Sequence, residues 1–423
     1  MTSFYIHTSG CSANQADSEQ MAGLLQQAQF ELASSMDDAH IVIFNTCTVK
    51  SPSEMDFFHT LEQFRKQYPH KIVVITGCIP QADPQKLKEY SLIGTKQIHN
   101  IVQVVEEALH DNVLQMLNDD EMPPLNLPRV RKNPIVEILP INRGCLGACT
   151  FCKTKKARGS LVSYPLSEII PEVTTALRQG VKEIWLTSQD TFCYGFDIGT
   201  DLPTLLQHLV ALPGDFKIRV GMGNPDHMLK IGDRLIEMYK NPKIFKFSHL
   251  PLQAGHDDVL EHMRRHYTVN DFCYTVRKFR KEIPELNLMT DIIVGYPIET
   301  EEHFWGTLEV VRKVTPDSIN ISRFWPRPGT PAAELNELPG DVVKHRSRVL
   351  TDIFHNISLL QNERWLGWKG TIIIDDQGME KNQWIGRNYA YKPVLVEGNY
   401  KLGDIISVQI KKAQKFDLVG EVV

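Results

Sequence analysis

The chain has 423 residues, 42% of them apolar and 23% charged, which is the make-up of a globular protein long enough for about three domains without disulfide staples. A formal net charge of −5 excludes a global basic field for nucleic acid, so any RNA contact has to come from local patches. No stretch approaches ~18 uncharged apolar residues, and the N-terminus "MTSFYIHTSGC" has no charged segment leading into an apolar one; neither a membrane partner nor a secretory signal is expected, and a cytoplasmic protein with reduced thiols is.

The first elements repeat one pattern. "SFYIHTSGC", "AHIVIFNTC" and "KIVVITGC" each read as a short apolar strand running into a cysteine, namely Cys11, Cys47 and Cys78. Helical stretches lie between them, "ANQADSEQMAGLLQQA" and "SEMDFFHTLEQFRKQ". Cysteine spacings of 36 and 31 residues fit βαβ units. Continuous apolar strands alternating with helices predict an α/β domain over residues 1–111, a doubly wound parallel sheet. Ligands of such sheets sit at the carboxyl ends of the strands, so the three cysteines can converge as a metal site. The alternative is three buried cysteines used as small hydrophobes. Residues 112–134, rich in proline and polar side chains, read as a linker.

From 135 the alternation resumes, with candidate strands "VEILPIN", "EIWLTSQ", "KIRVGM", "KFSHLPL", "LMTDIIVG" and "SINISRF". Six βα units fall short of a full (β/α)8 barrel and predict an open (β/α)6 partial TIM barrel over 135–362. One helix of this set, "SEIIPEVTTALRQG", is expected to be capped by Ser167 and ended by Gly180. A long amphipathic helix near "GDVVKHRSRVLTDIFHNISLLQNERW" closes the domain. The tail, 363–423, has short strands between turn signals and predicts a small OB-like β-barrel.

"RGCLGACTFCKTKKARG" sets Cys145, Cys149 and Cys152 in a C-x3-C-x2-C array just after the first barrel strand. Barrel active sites form at that end. A structural zinc takes four ligands, whereas three thiolates can hold three irons of a [4Fe–4S] cluster and leave the fourth iron open. Gly144 and Gly147 let the backbone turn tightly around such a group. The alternatives are a zinc with a remote fourth ligand and cysteines of a reduced core. Cys193 and Cys273 have no partner in sequence, and none of the histidines forms a spaced pair that reads as a metal site.

Together these segments resemble one family. "SGCSANQADSE", "FNTCTVK" and "TGCIPQA" are similar to the three N-terminal cysteine motifs of the radical S-adenosylmethionine (SAM) methylthiotransferases, and "CLGACTFCKTKKARG" to their radical-SAM signature. "LTSQDTFCYG", "GMGNP", "HLPLQAG", "TDIIVGYPIET" and "RPGTPAAEL" extend the resemblance, and "IGRNYAYKPVLVEG" resembles the family's TRAM domain. Ile298 in "GYPIET", where glycine is expected, and Trp325 before "PRPGT", where serine is common, depart from the pattern. The resemblance is strongest to the archaeal and eukaryotic branch. That branch acts on N6-threonylcarbamoyladenosine at position 37 of tRNA, 3′ of the anticodon, to give the 2-methylthio nucleoside.

The resemblance implies two [4Fe–4S] clusters, one on Cys145, Cys149 and Cys152 and one on Cys11, Cys47 and Cys78, with SAM as cofactor. Residues at the barrel strand ends are expected to hold SAM, namely Gln189, Asp190, Gln253 and Asp291, with Phe151 on the adenine and Arg158 on the carboxylate; the alternative for each polar one is an ordinary loop cap. The basic run Lys153, Lys155 and Lys156 is expected to meet tRNA phosphates, and Arg387, Tyr391 and Lys392 interleave charge and aromatic as an RNA-binding barrel does. The expected partners are a tRNA carrying N6-threonylcarbamoyladenosine and an electron donor such as ferredoxin or flavodoxin. Another tRNA adenosine derivative, a ribosomal-protein aspartate, and a non-enzymatic RNA-binding redox sensor are the alternative readings.

Overall fold

A computed structural model of the chain describes residues 2–48, 51–118 and 122–423. In the N-terminal domain β1 (Ser3–Thr8), β2 (Glu31–Leu32), β3 (Ile41–Thr46), β4 (Ile72–Gly77), β5 (Ser91–Ile93) and β6 (Gln115–Met116) form one parallel sheet in the order 2-1-3-4-5-6. Alternate strand residues face opposite ways, so both faces are apolar. Ile41 and Ile43 meet Met21 and Leu25 of the helix Ser12–Gln27, with Val104 of the helix Ile101–Leu109 in the same cluster. Val42 and Phe44 meet Phe57, Leu61 and Phe64 of the helix Ser51–Gln67 on the other face. The expected doubly wound sheet is present. Its sixth strand lies inside the expected linker, because a two-residue strand has no periodicity to read; residues 119–121 of that linker lie outside the described residues.

In the central domain β7 (Val136–Pro140) leads into a small ribbon of β8 (Asn142–Arg143) and β9 (Val162–Ser163). Strands β10 (Glu183–Thr187), β11 (Lys217–Val220), β12 (Phe247–His249), β13 (Asn287–Val294) and β14 (Ser318–Arg323) follow, each preceded by helix. They form two parallel triplets, β7-β10-β11 and β12-β13-β14, joined by a bridge between Ile218 and Ile244. This is the open six-stranded barrel. Its edges are covered: Ala16 of the first helix packs on Val136 and Ile138 of β7, and Leu350, Phe354 and Ile357 of the long helix Gly340–Glu363 join the barrel core beside β14. The helix Leu166–Arg178 starts two residues earlier than expected, with Pro165 rather than Ser167 at its cap position. Pro165 has an extended backbone that suits an N-cap.

The tail closes as a barrel of β15 (Lys369–Gln377), β16 (Gln383–Arg387), β17 (Pro393–Glu397), β18 (Ile405–Ala413) and β19 (Leu418–Val422), in the order 15-16-17-19-18. It is docked under the central barrel by the loop between β16 and β17. The Lys246 amide donates to the Tyr389 carbonyl at 2.8 Å, and Asn287 Nδ2 to the Ala390 carbonyl at 3.0 Å. Both donors stand at strand starts, so the tail caps the amino-terminal mouth of the barrel.

Candidate active site

Cys11, Cys47 and Cys78 follow the ends of β1, β3 and β4, around the point where the strand order reverses. Gly10 lets the first loop approach the second. Its φ is +117°, and a Cβ there would lie 2.7 Å from Cys47 Cβ. Side chains tie the strand ends together: Asn14 Nδ2 donates to Asn45 Oδ1 at 2.9 Å and to the Thr46 carbonyl at 2.8 Å, and Thr46 Oγ1 donates to the Thr76 carbonyl at 2.7 Å. The Cys11 thiol lies 3.5 Å from Asn14 Oδ1. Cys47 and Cys78 are buried and Cys11 is exposed.

Cys145, Cys149 and Cys152 lie at the carboxyl end of the barrel, opposite the tail. Gly144 at φ +71° makes the turn, and a Cβ there would sit 2.1 Å from the Ser160 carbonyl oxygen. The Gly144 amide donates to Gln189 Oε1 at 2.7 Å, and Lys155 Nζ donates to the Cys145 carbonyl. Arg265 Nη1 donates to Cys149 Sγ at 3.1 Å, and its Nη2 donates to Asn224 Oδ1. Burial alone would lower the Arg265 pKa, but Tyr267 and Cys149 hold it above its ordinary value. Burial pushes the Cys145 thiol up to about 11, with Cys152 adding to the effect; burial likewise raises Cys152.

The donor sets fit iron–sulfur clusters better than single ions. Among the described residues, the three sulfurs of neither trio lie all within 4.8 Å of one another. One tetrahedral zinc with ~2.3 Å bonds would need them about 3.8 Å apart. Thiolates with no other ligand type are also the donors that iron–sulfur clusters take.

A five-residue helix, Thr154–Arg158, begins two residues after Cys152 and packs against the helix Cys78–Ala82, with Ala157 touching Cys78 and Ala82. It brings the two trios face to face. Arg158, expected at a SAM carboxylate, is instead fully buried at the N-terminal trio. Its Nη1 donates to Asp17 Oδ2 at 2.9 Å and its Nη2 to Asn14 Oδ1 at 3.1 Å. Burial would lower its pKa, but Cys78, Asp17 and Cys11 raise it well above the usual range, so it is a fixed charge facing those thiols. Arg143 Nη2 reaches the other oxygen of Asp17 at 2.8 Å. Arg327 Nη2 donates to Thr48 Oγ1 at 2.7 Å and to Glu54 Oε2 at 3.2 Å, and its charge is felt by Cys47 and Cys152. Asn14, Asp17, Arg143, Arg265 and Arg327 belong to no cysteine spacing. The one local signal is Asn14 and Asp17, a helical turn apart after Cys11, which share a face.

The other expected SAM contacts are divided. Gln189 is taken by Gly144. Asp190 is fully buried and spent on structure: it accepts from the Phe192 and Asn224 amides at 3.1 Å and from Asn224 Nδ2 at 2.6 Å, with His227 Nε2 3.1 Å away. It is a loop cap rather than a ribose ligand. Asp291 points into the barrel between His249 Nε2 (2.9 Å) and Asn320 Nδ2 (2.7 Å). Gln253 holds a left-handed φ of +69° beside it, its amide on the Asp291 carbonyl at 2.8 Å. Phe151 is half-buried against the barrel core. Cys193 and Cys273 are both buried.

Three of the six expected RNA contacts, Lys153, Tyr391 and Lys392, are buried instead, and Arg387 is half-buried in an ion pair. Lys153 Nζ is enclosed between Asp83 and Glu54 (3.4 Å) of the first domain, because its loop is clamped between domains. Tyr391 packs on Phe245, Phe247 and Trp185 beneath the barrel. Lys392 Nζ bonds Asp317 Oδ1 and Asn362 Oδ1, both at 2.8 Å. Arg387 Nε bonds Asp375 Oδ2 at 2.8 Å and covers the Tyr391 ring at 4.7 Å. The loop that looked like an RNA platform is the docking wedge of the tail. Lys155 is half-buried on the Cys145 carbonyl, and Lys156 is exposed, 3.4 Å from Asp83.

Comparison with known proteins gives three family matches in chain order: Uncharacterized protein family UPF0004 over residues 3–94, the Radical SAM superfamily over 139–311 and the TRAM domain over 367–423. The chain is 43% identical over 428 residues to a "Probable threonylcarbamoyladenosine tRNA methylthiotransferase" of Pyrococcus abyssi, covering 100% of both. It is 37% identical over 428 residues to the threonylcarbamoyladenosine tRNA methylthiotransferase of Homo sapiens, covering 99% of this chain and 73% of the human one. Among solved structures it is similar to the radical S-adenosylmethionine methyltransferase TsrM of Kitasatospora setae, with cobalamin and a [4Fe-4S] cluster bound. The TM-score is 0.57 at 14% identity, over 79% of this chain and 74% of that one. The cobalamin-dependent S-adenosylmethionine radical enzyme OxsB gives 0.53 at 13% identity, over 83% and 55%. At those identities the likeness is one of fold.

Proposed function

This chain belongs to the threonylcarbamoyladenosine tRNA methylthiotransferase family, and from that premise we infer that it is a radical-SAM enzyme placing a methylthio group on carbon 2 of N6-threonylcarbamoyladenosine at position 37 of tRNA. The observation that carries the reading is the pair of thiol trios facing each other across the helix Thr154–Arg158. The reaction needs a radical source and a sulfur site within reach of one adenine. Carbon 2 bears an unactivated aromatic C–H that no side-chain base removes at neutral pH, so the hard chemistry falls to cofactors and the protein supplies position and charge.

Cys145, Cys149 and Cys152 would hold the [4Fe–4S] cluster that supplies, when bound, the single electron for cleaving SAM. Cys11, Cys47 and Cys78 would hold a second such cluster for the sulfur. Around these groups the chain's own residues do defined work. Arg265 sets a positive charge against Cys149, and Arg158 sets one against Cys11 and Cys78. Gln189 fixes the Gly144 turn. Gln253, Asp291 and Phe151 are proposed to meet SAM, and Lys156 a tRNA phosphate. A low-potential donor such as ferredoxin or flavodoxin would deliver the electron. No helix among the described residues is long and apolar enough to cross a membrane, and the proposed setting is the cytoplasm.

Nucleoside analysis of bulk tRNA from a deletion strain tests the reaction. Loss of 2-methylthio-N6-threonylcarbamoyladenosine is expected, and an unchanged profile would sink the reading. Two clusters predict about eight irons per chain after anaerobic reconstitution, falling to about four when Cys11, Cys47 and Cys78 are all replaced by alanine.

A further inference from the structure

Trp325 leaves 45% of its surface exposed, although the loop that bears it is tied down on both sides. Just before it, Phe324 is buried edge-on to the Tyr296 ring, 5.4 Å between centroids, and the Tyr296 hydroxyl meets Thr150 Oγ1 at 2.8 Å. Just after it, Arg327 bonds Thr48, and the Ala332 amide donates to the Thr150 carbonyl at 3.0 Å. Thr150 is the neighbour of Cys149, and Thr48 is the neighbour of Cys47. The loop therefore stitches the two cysteine sites together and holds up one bare indole beside them.

Three features suit that indole to a nucleobase. Pro326 follows it, which confines the Trp325 backbone to extended conformations and lowers the entropy lost on binding. Exposed cations stand close by for phosphates: Arg323 two residues earlier, and Lys156, whose Nζ would be 3.9 Å from a Cβ at Gly329. An aromatic face accepts any unstacked base, which is how proteins grip single-stranded loops.

We propose that Trp325 is the stacking platform for an unpaired base of the tRNA anticodon loop beside the target adenosine. The proposal rests on the tRNA reading above. It deepens that reading by assigning the residue that grips the loop.

Reconstituted protein would be titrated into a fluorescein-labelled anticodon stem-loop carrying N6-threonylcarbamoyladenosine and followed by anisotropy, with SAM affinity measured in parallel. W325A should weaken stem-loop binding by about tenfold to a hundredfold, W325F should recover most of it, and the salt slope should stay that of the wild type because phosphate contacts remain. Equal stem-loop binding by wild type and W325A would overturn the proposal alone. So would a W325A defect of the same size in SAM affinity, which would assign the indole to the cofactor. Wild-type protein that ignores the stem-loop would instead overturn the tRNA reading, and the stacking with it.

Discussion

Arg158 and Arg265 do the same electrostatic work at the two thiol trios, one from a fully buried position and one from a half-buried one. Arg158 shares Asp17 with Arg143, so two guanidinium groups oppose one carboxylate and the balance is made up by sulfur. Arg143 keeps Asp17 paired when Arg158 is removed, but the buried acceptors Asp17 Oδ2 and Asn14 Oδ1 lose their donor, so Arg158→Ala should destabilise the chain by about 1–3 kcal/mol in urea unfolding. Arg158→Lys should lie between, since one ammonium cannot serve Asp17 and Asn14 in the fork geometry. Arg265 donates directly to the sulfur of Cys149, a proposed cluster ligand. A donor to such a sulfur favours the more reduced state. Arg265→Gln should therefore make the midpoint potential of the reconstituted Cys145–Cys152 cluster more negative in a titration followed by electron paramagnetic resonance. An unchanged potential would show the contact to be packing alone.

At the scale of elements, the loop between β16 and β17 decides how the tail sits. Arg219 lies within about 5 Å of the rings of Trp185, Phe247 and Tyr391, a cation enclosed by aromatic faces. Tyr391→Ala should cost about 3–5 kcal/mol of stability and leave the salt slope of RNA binding unaltered. Beside this cluster Glu183 and Asp375 compete for Arg387. Burial, then Asp375, pushes Glu183 from 4.5 up to about 7. The folded chain thus holds a proton that the unfolded chain has released, and the associated stability is lost as pH rises between about 4.5 and 7. Glu183→Gln should remove this slope, so its stability relative to wild type should improve across that window in denaturant titrations. The elements themselves were legible from sequence, because apolar runs alternating with helical periods are local signals. Cys11, Cys47, Cys78 and the C-x3-C-x2-C array stood out for the same reason. The true surroundings of Arg158, Lys153, Tyr391 and Lys392 were not legible. Each is fixed mainly by a residue some 70 or more positions away, in another domain, and a buried interdomain cation looks in sequence like an exposed one.

Across the whole molecule, thiols and tail occupy opposite ends of one barrel. Its longest strand, β13, has eight residues and spans about 26 Å. A tRNA held both at the active face and by the tail must run along the outside of the barrel. Hydroxyl-radical footprinting of the bound tRNA should then show two protected tracts separated by an open one; a single continuous tract would mean that the tail stays off the RNA. The position of Arg158 also bears on how the protein is made. The first domain leaves the ribosome before the barrel exists, with Asp17 and Asn14 still lacking the guanidinium that the later domain brings. Its cysteine pocket stays an unfinished vessel until the second domain docks against it and brings Arg158 to Asp17 and Asn14.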